Sequence, residues 1–126
     1  MNADLNHFIT HLEFMGYEIE QLDEKRYKAM HEKYFNMIVK DYVFGVIFIS
    51  IFGKSDTANR ETLLEFANAL NDEAILGRFI VDQDEDLRVE FVFSGDYSKK
   101  EFSRFIELIQ SDFKAMASHE DAGALA

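Results

Sequence analysis

Asp82, Asp84 and Asp86 stand at alternate positions, the spacing of the first three ligands of a calcium loop, where carboxylate oxygens converge on a hard cation. The rest of such a loop is missing. Leu87 replaces the turn glycine and Phe93 stands where the bidentate glutamate belongs, so the triplet reads as a solvated acidic hairpin turn. His7 and His11 have the i, i+4 spacing that lets two imidazoles grip one zinc ion from a helix face. HExxH is absent and no third ligand suggests itself. Both side chains project away from the apolar stripe of their helix, so they read as two solvated histidines, and no metal or cofactor is expected.

Nucleophilic chemistry fares no better. No serine lies in G-x-S-x-G, and the single S-x-x-K spacing, Ser111 to Lys114, falls near the end of the last helix without its accompanying elements. The glycines are isolated, so no phosphate-cradling loop forms. Glu18 with Glu20, and Glu90 with Asp82, are carboxylates of a wet strand edge rather than an acid-base pair. Asn68 and Asn71 read as helix terminators, because asparagine tolerates the left-handed conformation. The residues state no reaction, and the chain is read as a non-enzyme.

Composition narrows the classes further. The 126 residues, 48% hydrophobic and 29% charged with thirteen phenylalanines and no proline, describe one compact domain with a phenylalanine-built core. Twenty-four acids against thirteen bases leave a net charge of −11, so repulsion opposes binding to nucleic acid or an anionic membrane. The absence of cysteine removes disulfide frameworks, thiolate metal sites and cysteine nucleophiles, and it is compatible with a reducing cytoplasm, the expected location. Met1-Asn2-Ala3-Asp4 lacks the basic and apolar regions of a secretory signal, which argues against export by that route. The nearly apolar run from Tyr42 to Phe52 has eleven residues, about half of the ~20 that cross a bilayer as a helix, and reads as a buried strand.

Periodicity orders the elements. Leu5, Phe8, Ile9, Leu12 and Met15 make one helical stripe that Gly16 ends. Tyr17 to Gln21 alternates as a half-exposed strand, and a second strand runs from about Arg26 to Val39, with a bend or an extra turn near His31-Glu32-Lys33, where the alternation blurs, left open. Tyr42 to Phe52 is the central strand. Ser55 or Asp56 caps a helix carrying Leu63, Leu64, Ala67 and Leu70, and Ile75 to Val81 pairs with Leu87 to Phe93 as an antiparallel hairpin. Ser98 and Glu101 have capping-box spacing, with Tyr97 and Phe102 as the hydrophobic staple of a helix reaching about Met116. Phe102, Phe105, Ile106, Ile109 and Phe113 form its buried stripe, and Asp112 falls outside it. The expected architecture is α+β, a five-stranded antiparallel sheet with three helices in the order α-β-β-β-α-β-β-α. Residues 1–118 form the domain and 119–126 a flexible tail.

The central strand is apolar on both sides, Val43, Gly45, Ile47, Ile49 and Ile51 pointing one way and Phe44, Val46, Phe48 and Phe52 the other. Three helices cover one face of such a sheet, which leaves the other for a partner. Phe44, Val46, Phe48, Phe52, Leu76 and Ile80 are the residues expected on that partner face.

Asn68-Ala-Leu-Asn71 at a helix end, Gly77-Arg-Phe-Ile-Val-Asp82, an acidic turn and Leu87-Arg-Val-Glu-Phe-Val-Phe93 together resemble the YbjN-like proteins of the type III secretion chaperone-like fold. Asp86 departs from the pattern where the family often has a turn glycine. The resemblance spans nearly the whole chain and carries no catalytic residue. It implies a non-enzymatic homodimer that binds a polypeptide client or regulatory partner. The alternative is a small-ligand-sensing domain whose phenylalanine-lined pocket lies between sheet and helices.

Overall fold

A computed structural model describes residues 3–126. Helix α1 (Ala3–Phe14) is followed by β1 (Glu18–Gln21), β2 (Arg26–Met30), β3 (Met37–Tyr42) and β4 (Gly45–Phe52), then by α2 (Arg60–Glu73), β5 (Arg78–Val81), β6 (Leu87–Ser94) and α3 (Lys99–Ser118). The sheet is ordered β1-β2-β3-β4-β6-β5 and every neighbouring pair is antiparallel. It has six strands rather than the five expected.

The extra strand comes from residues 26–39, which fold as a hairpin of β2 and β3 rather than as one long strand. Local side chains interrupt the extended run between them. His31 N–H donates to Asn36 Oδ1 at 3.2 Å, and His31 Nδ1 accepts from Lys33 N–H at 2.9 Å, so the backbone turns instead of extending. Helix α2 starts later than expected, capped by Asn59, whose Oδ1 accepts from Thr62 N–H at 2.8 Å, rather than by Ser55 or Asp56. The start of α3 is as expected, with Ser98 Oγ accepting from Glu101 N–H.

Helices α1 and α3 lie on one face of the sheet, and aromatic rings carry the contact. Phe8 of α1 meets Phe93 edge to face at 5.2 Å between centroids, and Phe102 and Phe105 of α3 lie 5.7 and 5.5 Å from Phe48. Phe91 packs on Phe113 at 5.3 Å. Ring burial also decides which face the helices take. On the core side, β4 and β6 pair Val46 with Phe93, Phe48 with Phe91 and Ser50 with Val89, all buried.

Asp112, expected on the outside of α3, is buried. Its Oδ1 accepts from Ile75 N–H and its Oδ2 from Leu76 and Gly77 N–H, at 2.7 to 2.9 Å. These bonds hold residues 75–77 as a loop, so β5 begins at Arg78 and not at Ile75. Asn71 lies within α2 rather than terminating it, and its amide exchanges two 2.8 Å hydrogen bonds with the backbone of Phe79, occupying the outer edge of β5. The last residues are packed against the domain: Ala122–Ala124 form a 3-10 turn, Ala124 is buried, and Ala126 N–H donates to Gly53 O at 2.8 Å.

Among the described residues Glu85 alone combines a side chain with a positive φ, of 61°. That conformation costs a non-glycine residue about 1–2 kcal/mol, against about 0.5–1 kcal/mol of unfolded-state entropy that a glycine adds. Glu85→Gly is therefore expected to raise stability by about 0.5 kcal/mol, read as a small increase in melting temperature. A decrease would show that the Glu85 side chain makes a compensating contact.

Candidate interaction face

The sheet face opposite the helices is open, and the register defines what it shows. Alternation along β4 and β6 sends Ile47, Ile49 and Ile51, and Arg88, Glu90 and Val92, to this side. Ile38 joins them from β3 and Ile80 from β5. Ile51 is 56% and Val92 43% exposed, while Ile38, Ile47, Ile49 and Ile80 are half-buried by their neighbours. The result is an aliphatic patch that runs along β4 with Ile38 and Val92 beside it, and Ile80 is set apart from it by Arg88.

The residues expected on the partner face divide differently. Val46 and Phe48 are fully buried beneath the helices, and Phe52 packs partly against the core beside Phe35 and Phe113. Phe44, 73% exposed, sits in the two-residue turn between β3 and β4. Leu76 lies in the loop tied by Asp112, and Ile80 alone of the six is on the open face. The parity of the central strand was legible in the sequence, but which side the helices would claim was not. The bulkier face is buried because phenylalanines bring more apolar area per residue to the helix contact than isoleucines do.

Charge surrounds the patch. Among strand residues with outward parity, Arg26, Lys28, Lys40, Arg78 and Arg88 stand against Glu18, Glu20 and Glu90, a balance of 5 − 3 = +2 on a chain of net charge −11. Glu90 is held by two arginines. Arg78 Nη2 donates to its Oε1 at 2.6 Å, and Arg88 Nε lies 3.1 Å from its Oε2 in ion-pair range but poorly aligned for a hydrogen bond. Arg26 is paired at its turn with Asp23, 2.7 Å away.

Elsewhere, a cleft of about 530 Å³ opens between α1 and α3, lined by His7, His11, Phe14, Tyr97, Lys99 and Ser103 among others. His11, expected to be solvated, is half-buried: its Nδ1 shares a 2.8 Å hydrogen bond with the Tyr97 hydroxyl, and His7 stacks on the same ring. Burial, with the charge of Lys99 adding to it, holds the His11 imidazole below the usual histidine range. The unfolded chain therefore takes up this proton at a higher pH than the native state does, and the stability tied to neutral His11 is lost as pH falls below about 6.5. His11→Gln is expected to flatten the dependence of melting temperature on pH between about 7 and 5. An unchanged slope overturns that assignment. The Asp82, Asp84 and Asp86 carboxylates approach one another within 4.8 Å, yet Asp82 Oδ1 is already taken by the N–H groups of Asp84 and Asp86, which makes it the acceptor that closes the β5–β6 turn. No helix of the described residues is long and apolar enough to cross a membrane.

A six-stranded antiparallel sheet covered by helices on one face and bare on the other is an α+β fold that its structural neighbours share. The crystal structure of YbjN from E. coli, "a putative transcription regulator", superposes with a TM-score of 0.73 at 14% identity, covering 96% of this chain and 93% of that one. The heterodimeric complex ExoU-SpcU from the type III secretion system of Pseudomonas aeruginosa contains a chain similar at a TM-score of 0.58 and 11% identity, with 85% and 92% covered. The family model of YbjN, described as "Putative bacterial sensory transduction regulator", matches residues 41–119. The chain belongs to the YbjN family. No curated protein matches it by sequence.

Proposed function

We propose that this protein is a non-enzymatic, protein-binding module of regulatory or chaperone-like type, and that its polypeptide partner, a client or a second copy, docks on the open sheet face. The observation that carries this reading is the aliphatic patch of Ile38, Ile47, Ile49, Ile51 and Val92, with Ile80 beyond Arg88, on a sheet with no covering layer. The family's regulatory description and a structural neighbour from a heterodimeric secretion complex support it. Its acidity and lack of cysteine suit a cytoplasmic site of action.

Ile47→Asp tests the reading, because the substitution places a charge within the patch. Capture of a polypeptide from lysate is expected to be lost while the far-UV spectrum is kept. Capture that survives the change overturns this surface as the docking site.

The cleft between α1 and α3 favours a second reading, small-ligand sensing, since its volume falls within the ~300–1,000 Å³ of ligand pockets. It lies between two helices and not between sheet and helices as the sequence suggested. A metabolite that raises the melting temperature, and does so no longer in Phe14→Glu, supports this reading. A blank screen removes it.

A further inference from the structure

We propose that the open face binds a second copy of this chain, sheet against sheet, about a two-fold axis that runs parallel to the strands between β3 and β4. This rests on the open face being a docking surface and names its occupant. The observation is the composition of one cross-strand row. From one edge of the sheet to the other, the register aligns Glu20, Lys28, Ile38, Ile49, Glu90 and Arg78.

That row is its own complement when reversed. A two-fold axis along the strands lays β1 of one copy over β5 of the other, β2 over β6 and β3 over β4. Glu20 then faces Arg78 of the partner subunit, Lys28 faces the partner's Glu90, and Ile38 meets the partner's Ile49, each contact occurring twice because the interface is isologous. The other in-plane axis, perpendicular to the strands, sets each strand over its own copy and puts Glu20 on Glu20 and Lys28 on Lys28. Like charges facing one another across a dry interface are costly, so the charge pattern selects the first arrangement over the second.

Packed sheets cross at about 30° rather than in perfect alignment, which slides the edges past each other by a residue or two. A slide of two residues in one direction sets Glu18 against the partner's Arg78, whereas the opposite slide sets Glu20 against the partner's Ile80, so the charge pairing fixes the direction of the slide. Six strands at about 4.8 Å spacing give a face about 24 Å wide, and β4 at about 3.3 Å per residue is about 26 Å long. Covering it buries roughly 600 Å² per copy, at the small end of stable interfaces, so the dimer is expected to be concentration-dependent.

The test is light scattering and sedimentation of the full chain over about 1–500 μM. Wild type is expected to approach twice 14.7 kDa at the upper end of that range. Glu20→Arg alone sets arginine against arginine at both sites, and Arg78→Glu alone sets acid against acid. Each is expected to weaken association by at least tenfold. An equimolar mixture of the two variants restores both pairs in trans and is expected to return dimer mass to near the wild-type level. Arg78 is 69% exposed, and circular dichroism of each variant excludes unfolding as the cause. Lys28→Glu, which meets the partner's Glu90, provides an independent variant with the same expected loss. Variants that dimerise like wild type, or a mixture that fails to recover, overturn the two-fold arrangement. A wild type monomeric at 500 μM overturns self-association, and the broader docking role then stands or falls separately on whether Ile47→Asp abolishes capture of a different polypeptide.

Discussion

Phe48→Asp is expected to leave the protein unfolded, while Ile47→Asp, one residue earlier on the same strand, is expected to leave it folded. Phe48 has no exposed surface, lies across from Val39 and Phe91 on the neighbouring strands, and stacks near Phe102 and Phe105. Removing a buried phenylalanine costs about 3–5 kcal/mol, and an unpaired carboxylate in its place adds several more, together comparable with the whole ~5–15 kcal/mol stability of a domain. Ile47 faces the open side directly across from Lys40, so a new carboxylate there gains a cross-strand cation. Its net cost is about 1 kcal/mol or less, mostly from lost strand preference. Thermal scans in the far ultraviolet decide the matter: no cooperative transition for Phe48→Asp, a near-normal one for Ile47→Asp. The opposite pattern would mean that the helices cover the isoleucine face.

Asp112→Ala is expected to destabilise the protein by about 3–4 kcal/mol. The buried carboxylate accepts three backbone N–H bonds from the loop between α2 and β5, and each donor left unsatisfied costs about 1–3 kcal/mol, less what entering water recovers. For a chain of this size that lowers the melting temperature by roughly 10–15 °C. Asp112→Asn keeps one acceptor oxygen and is expected to fall between. Amide exchange adds a local readout, since the protection of Ile75, Leu76 and Gly77 should collapse before that of β4 and β6. A loss below about 1 kcal/mol, with those amides still protected, would show that the loop is held by its own packing. Gly77 would then be the residue to examine, because a Cβ there meets Phe91 and Phe79 ring carbons at 3.0 and 3.1 Å.

Much of the architecture was legible because it is encoded locally. The stripe of α1, the capping box at Ser98 and Glu101, and the alternation of Leu87 to Phe93 each depend on residues within one or two turns of one another. The two apolar sides of β4 were legible for the same reason, although the side expected to stay uncovered was the phenylalanine side. What local pattern could not supply was anything that depends on a distant partner. The alternation of residues 26–39 blurs near His31, which left a turn there open, and the bonds of His31 to Asn36 and Lys33 are what make a hairpin with a sixth strand. Asp112 has the polarity of a surface residue, and it is buried only because three loop N–H groups more than thirty residues away converge on it.

The sequence by itself determined that the central strand has a phenylalanine side and an isoleucine side, since alternation is a property of the extended backbone. The tertiary structure decided which side meets solvent, through the rings of Phe8, Phe102, Phe105 and Phe113 that had to be buried against something of equal bulk. It also decided what stands beside the isoleucines, because the row from Glu20 to Arg78 draws on six strands whose order in space is not their order in the chain. Register across a sheet depends on pairing, and pairing is not a local property of any one strand.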